Sequence, residues 1–263
     1  MEIYLTVIFG LFGAAVGSFI NVCVDRLPAG KSLNYPPSHC DVCQKRLAVL
    51  DLFPVISYIT LKGHCRYCHA KIPLRVLFVE LGCGIFTAFL FWHQGLTLEL
   101  AFTAFYSYIF IIIAIIDLRH KLILNKIVYP SLAASLIIAP FFIKQDVVGS
   151  GVVDQGIVNA LIGGAVGFLF LLIPVIVTQG RGMGFGDVKY AALIGMATGF
   201  AEVLVAVLGG IILGAFVGVI LLALGMKKGK DAIPFGSFLS LTAIITLLWG
   251  TDILDWYINL FLL

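Results

Sequence analysis

The chain has 263 residues, of which 61% are hydrophobic and 12% charged, and its mean hydropathy is +1.09. That balance excludes an ordinary soluble domain. The net charge of +3 reflects a one-sided placement of basic residues and gives no argument for a nucleic-acid partner.

An apolar run of about 20 residues crosses a bilayer, and eight segments approach that length: residues 3–24, 74–92, 96–116, 122–143, 157–178, 188–199, 203–224 and 234–249, the sixth being short. The expected fold class is an all-α polytopic membrane protein of about eight transmembrane helices. Its one sizeable polar insertion, residues 25–73, separates a first helix (1–24) from the bundle (74–263). Basic residues stay on the cytoplasmic side. With the N-terminus outside, that side receives every Lys and Arg except Lys144. Glu2, rather than a basic segment, precedes the first span, and no small-residue cleavage site follows, so the span reads as a genuine helix.

The first span carries Gly13 and Gly17 at the four-residue spacing that lets helices approach closely. Asn21 lies deep enough to need a partner on another helix, Arg26 reads as an interface anchor, and Cys23 as a buried structural thiol.

The insertion contains Cys40-Asp41-Val42-Cys43 and Cys65-Arg66-Tyr67-Cys68, separated by residues 44–64. Two such turns each aim two thiolates at one tetrahedral ion, which predicts a four-cysteine zinc site. Two disulfides are the alternative, and a reducing cytoplasm opposes them. His39, His64 and His69 flank the pairs as spare ligands, and Lys45, Arg46, Lys62, Arg66 and Lys71 can offset the thiolate charge. A closed shell of this kind is structural. In the next span Glu80 stands near Arg75, and an ion pair along the helix competes with a site role.

Asp117 closes the apolar run 109–116, and Asp187 opens the segment that follows Gly182-Met183-Gly184-Phe185-Gly186. An ionisable group at the lip of a membrane span costs roughly 2.5–3.5 kcal/mol on insertion scales, so its default reading is functional. Two carboxylates on spans that can pack together suggest a pair sharing one proton. The bland alternatives are an Asp117–Lys121 helix-end pair and Asp187 as a helix N-cap. Gly180, Gly182, Gly184 and Gly186 alternate, but no Gly-Lys-Ser/Thr follows and no strand precedes, so nucleotide phosphate binding is rejected. These glycines instead permit φ > 0 and the approach of another backbone, such as an extended peptide beside the loop. Gly195 and Gly199, and then Gly210, Gly214 and Gly218, continue the packing spacing. Ile233-Pro234-Phe235-Gly236 opens the last span with irregular backbone on the side of the two aspartates, and residues 251–263 read as an interfacial tail.

In order and spacing these pieces resemble the bacterial type IV prepilin peptidases over nearly the whole chain. The carriers are Gly17-Ser18-Phe19-Ile20-Asn21 with Arg26-Leu27-Pro28, the two C-x-x-C pairs, Pro54-Val55-Ile56-Ser57-Tyr58 and Val79-Glu80-Leu81. Asp117-Leu118-Arg119-His120, Gly184-Phe185-Gly186-Asp187 with Lys189, and Ile233-Pro234-Phe235-Gly236 complete the set. The resemblance implies a GxGD-type aspartyl protease in which Asp117 and Asp187 are catalytic and Gly184, Gly186, Lys189 and Pro234 support substrate or loop. It implies zinc on Cys40, Cys43, Cys65 and Cys68, and cleavage of the short basic leader of prepilins and pseudopilins, after a Gly, at the cytoplasmic face of the inner membrane. It also implies methylation of the new N-terminal amine from S-adenosylmethionine, with the cysteine insertion as the methyltransferase-associated region.

No soluble-type methyl-donor fingerprint is visible, and the cofactor-binding residues are left unassigned. The family often has Pro inside the first C-x-x-C, Ile-Pro-Asn/Asp where this chain reads Ile123-Leu124-Asn125, and Pro at the position of Ser237. None of these departures is expected to touch a metal ligand or a catalytic carboxylate. The nearest alternative is a peptidase without methyltransferase activity, against which the cysteine insertion argues. A presenilin-like protease leaves that insertion unexplained, and a transporter lacks visible inverted repeats.

Overall fold

The computed structural model describes residues 2–142, 156–180, 183–226 and 233–261. Lys144, Arg181, Gly182 and the basic residues Lys227, Lys228 and Lys230 lie outside them. The regular elements among the described residues are helices, and the extended pairings are two single bridges, His39–Arg46 and His64–Lys71. The chain divides into two compact units, Met1–Ala104 and Phe105–Leu263.

In the first unit, α1 (Glu2–Arg26) packs along α3 (Leu74–Gln94). The expected small-residue face makes the contact. A Cβ on Gly17 would lie 2.8 Å from the Glu80 Cα, and one on Gly13 would overlap Thr87. Phe9 stacks on Phe91 at 4.5 Å. Asn21 donates to the Val76 carbonyl and accepts from Arg75, which also grips Asp25 at 2.8 and 2.9 Å. Thus Asn21 finds its interhelical partner. Arg26 turns back onto the Ser32 and Leu33 carbonyls, and Cys23 is buried. Between these helices lie a single tight turn at Val49–Leu52 and the short α2 (Ile56–Thr60). Glu80 does not pair with Arg75. It is 5% exposed, and its carboxylate accepts the Val55 N–H at 2.7 Å. Val55 has φ +63, a costly conformation for a β-branched residue, and this hydrogen bond helps to hold it.

The long helix α4 (Leu98–His120) leads into the second unit, followed by α5 (Asn125–Phe142), α6 (Gly156–Val177), α7 (Phe185–Thr198), α8 (Glu202–Ala223) and α9 (Phe235–Phe261). Helix α7 is the central element. It packs against α5, α6, α8 and α9, and Val188, Tyr190, Ala191, Leu193 and Ile194 are fully buried along it. Gly163, Gly164 and Gly167 let α6 lie directly on the α7 backbone, and a Cβ on Gly195 would overlap the Gly163 carbonyl. Gly210, Gly214 and Gly218 likewise seat α8 against Leu239, Phe238 and Ile233. Two buried hydroxyl pairs link helices, Tyr190 to Ser240 at 2.7 Å and Tyr106 to Ser135 at 3.0 Å.

Six described helices are long and apolar enough to cross a membrane: α1, α3, α4, α6, α8 and α9. The segments expected at 122–143 and 188–199 correspond to α5, with Pro130 and Pro140 inside it, and to α7, which has 14 residues. At 1.5 Å per residue α7 is about 21 Å long, short of the hydrocarbon thickness of about 30 Å. The last helix continues beyond residue 249 through a kink at Trp249, whose φ is −135.

Candidate active site

Helix α4 ends at His120 because Lys121 turns into the left-handed region, φ +52, while its N–H closes back on the Asp117 carbonyl. Asp117 therefore sits in the last turn of α4, 5% exposed. The alternative, a side-chain pair with Lys121, does not form. Instead Asp117 Oδ2 accepts two hydrogen bonds from Ser237, from the backbone N–H at 2.9 Å and from Oγ at 3.1 Å. Ser237 is the third residue of α9, where a backbone N–H has no acceptor within its own helix. The carboxylate thus completes the start of a helix 120 residues away in sequence. Gly236 makes this approach possible, since a Cβ there would stand 3.1 Å from Asp117 Oδ2 and 3.1 Å from the Ile123 Cδ1.

The expectation that Ser237 is remote from a candidate carboxylate is corrected: it is the hydrogen-bond partner of Asp117. The sequence hid this because a serine inside an apolar span carries no signal of the helix it will meet. Leu124, in the same unit as Asp117, makes no such hydrogen bond to it.

Helix α7 begins after Gly184, which occupies the N-cap position with φ −78. Asp187 is the third residue of that helix, so it is not the N-cap. The charge of Asp117 bears directly on it, which brings the two carboxylates into one electrostatic neighbourhood. The glycines divide their work differently from the sequence expectation. Gly180 has φ +73, whereas Gly184 is extended and lies beside the Asp187 carboxylate. Gly186 lets α7 close on Ile123, 3.2 Å from where its Cβ would be. Ile123 is therefore the spacer between Gly186 and Gly236. Lys189 donates to Asn125 Oδ1 at 3.1 Å and lies over the rings of Tyr129 and Phe185 at 5.3 and 5.1 Å. This fixes a cation one half-turn beyond Asp187. Pro234 immediately precedes α9.

The first unit holds the cysteine cluster. The four sulfurs of Cys40, Cys43, Cys65 and Cys68 lie within 4.8 Å of one another. Each pair is built by the same turn. Cys40 N–H donates to the Lys45 carbonyl and Gln44 N–H to the Cys40 carbonyl; Cys65 N–H donates to Ala70 and His69 N–H to Cys65. Gln44 and His69 take matching left-handed conformations, φ +58 and +56. The N–H groups of Cys68 and Tyr67, aimed at the Cys65 sulfur, hold that thiol down to about 7. Lys45 reaches from one turn over the Tyr67 ring of the other at 5.3 Å. Arg66 pairs with Asp51 and keeps its carboxyl below the ordinary range.

The donor set fits a thiolate-bound metal. A tetrahedron with metal–sulfur bonds of about 2.3 Å has edges of about 3.8 Å, and Cys40 and Cys68 are 3.7 Å apart. The histidines are not needed as ligands. His39 and His64 each bond a carbonyl two residues back, those of Pro37 and Lys62.

The sequence pattern of the bacterial peptidase A24 N-terminal domain matches residues 11–94, and that of the type IV leader peptidase family matches residues 104–219, a span holding both Asp117 and Asp187. The prepilin leader peptidase/N-methyltransferase of Bacillus subtilis (strain 168) is 30% identical, with 97% of this chain and 98% of that protein aligned. Its namesake in Pseudomonas aeruginosa is 30% identical over 95% of this chain and 92% of its own length. That of Stutzerimonas stutzeri is 29% identical over the same shares. No solved structure matches. With relatives of this identity aligned almost end to end, the chain belongs to the type IV leader peptidase family.

Proposed function

We propose that this protein cleaves the leader from type IV prepilins and pseudopilins and then N-methylates the new N-terminal residue, with Asp117 and Asp187 as the catalytic pair of the first reaction. The observation that carries the peptidase reading is the placement of the two carboxylates. They come from opposite helix ends, the close of α4 and the opening of α7, and the charge of one acts on the other. Two like charges that act on each other favour a state in which one is ionised and one protonated.

The ionised carboxylate takes a proton from a water molecule as that water attacks the scissile carbonyl carbon. The protonated partner gives its hydrogen to the carbonyl oxygen. Collapse of the tetrahedral intermediate breaks the C–N bond, and the proton first taken from water passes to the leaving amine. The pair titrates as a unit. Gly184, beside Asp187, leaves room for an extended substrate backbone to pass the carboxylates. Gly186, Lys189 and Pro234 hold the surrounding loops in this reading.

The amine released by cleavage is the substrate of the second reaction. Its methyl donor is S-adenosylmethionine, whose sulfonium supplies an electrophilic methyl group. This assignment draws on the names of the relatives. We assign residues 25–73 as the module associated with that reaction, and a zinc ion to Cys40, Cys43, Cys65 and Cys68. Four thiolates in tetrahedral array select zinc or iron–sulfur chemistry, and the closed shell gives the ion a structural role. The distribution of Lys and Arg supports an inner-membrane protein whose N-terminus is outside and whose cysteine module and aspartates face the cytoplasm.

The decisive experiment is the intact mass of a co-expressed prepilin in cells carrying the wild type, Asp117→Asn or Asp187→Asn. Wild type removes the leader and adds one methyl group, and each variant leaves the full-length, unmethylated precursor. Leader removal without methylation in the wild type would reduce the protein to a peptidase. Normal cleavage by both variants would end the aspartyl mechanism.

A further inference from the structure

Both hydrogen bonds that Asp117 accepts from Ser237 end on the same oxygen, Oδ2. The Gly236 amide also bears on this carboxylate, so the first turn of α9 backs it from one side. The Ser237 hydroxyl has a second acceptor within reach, the Ala114 carbonyl at 3.0 Å, against 3.1 Å to Oδ2. A hydroxyl carries one hydrogen, so it serves one of these acceptors at a time. The group is buried, 8% exposed, and its two acceptors are both supplied by α4.

We propose that Ser237 is a positioning residue for the aspartate pair, clamping Oδ2 of Asp117 so that Oδ1 is the oxygen presented to the reacting water. The backbone N–H holds Oδ2 throughout the cycle. The hydroxyl is a rotor. It donates to Oδ2 while the carboxyl is ionised and swings to the Ala114 carbonyl when the carboxyl carries a proton. Ser237 itself gains and loses no proton. Its contribution is that, in this chain, Asp117 keeps one orientation in both protonation states. The inference rests on the assignment of Asp117 as catalytic.

The test uses the full-length enzyme in detergent with a purified prepilin, comparing wild type, Ser237→Ala, Ser237→Thr and Asp117→Asn. Removing a hydrogen bond to a charged group costs roughly tenfold or more in the state that uses it. Ser237→Ala is therefore expected to lower kcat about tenfold with KM unchanged, because prepilin contacts are untouched. Ser237→Thr, which restores the hydroxyl, is expected to recover most of the rate. A merely structural role predicts that Thr, bulkier than Ala in a packed site, is the worse variant and that thermal stability falls with activity. Wild-type kcat in Ser237→Ala, or equal losses in Ala and Thr, would overturn the proposal. If Asp117→Asn is inactive while Ser237→Ala is unimpaired, the clamp alone fails. If Asp117→Asn still cleaves, the catalytic assignment fails and takes the clamp with it.

Discussion

At the scale of single residues, the proposed chemistry depends on how little separates the start of α9 from Asp117. Gly236 is the point of closest approach: a Cβ there would crowd Asp117 Oδ2 and Ile123 at 3.1 Å each, closer than about nine in ten real Cβ contacts. Gly236→Ala is expected to push the carboxyl off its clamp while the helix, which Ala favours by about 1 kcal/mol over Gly, still forms. Prepilin cleavage should fall at least tenfold with the melting temperature nearly unchanged; a fully active Gly236→Ala would mean that the site tolerates displacement of Asp117. The two aspartates were legible in sequence because an ionisable group at the end of an apolar run is conspicuous. Their partners were not. Ser237 reads as one more small residue in a span. Arg75 looked like the partner of Glu80 because the two are near in sequence, yet Arg75 turns to Asp25 and Asn21 and Glu80 to the Val55 amide. Local spacing proposes pairs, and packing between elements decides among them.

At the scale of elements, the second unit is assembled by glycine faces that bring backbones into direct contact. In an apolar environment helix association draws on close packing and interhelical hydrogen bonds, so small residues at the contact matter more than apolar ones. Gly195→Ala would drive a methyl group into the Gly163 carbonyl, and neither backbone can yield without moving its helix. Overpacking of this kind typically costs about 1–3 kcal/mol. The variant should lose thermal stability in detergent and accumulate poorly. Gly82→Ala on α3, where an added Cβ meets nothing within 4 Å, is the matched control and should be neutral or slightly stabilising. Equal behaviour of the two would show that the contact between α6 and α7 is not limiting. The four-residue spacings on α1 and α8 announced their packing faces in sequence. The same spacing recurs on α6 at Gly163 and Gly167, and Gly164 widens that face toward Met196. The shortness of α7 was visible as a truncated apolar run, whereas its central position among four helices follows from tertiary packing alone.

At the scale of the whole molecule, the candidate metal site and the candidate aspartates belong to different compact units, Met1–Ala104 and Phe105–Leu263. Each unit closes its own site with its own elements. The cysteine turns are held by their internal amide bonds and by the Arg66–Asp51 pair, and Asp117 is held by Ser237. A closed thiolate shell contributes folding free energy to the small module that it ties together. A metal-free module should therefore lose its shape while the helical second unit keeps its own. The expectation is a separable defect. The double variant Cys40→Ser with Cys65→Ser, purified in parallel with wild type, should lack the one equivalent of zinc expected of the wild type by elemental analysis. A co-expressed prepilin should then carry a leader-free but unmethylated N-terminus by intact mass. Loss of cleavage together with methylation would mean that the aspartate site needs an intact cysteine module. Retention of both would remove the module from either reaction. Only the split outcome assigns the first unit to methyl transfer and leaves hydrolysis to the second.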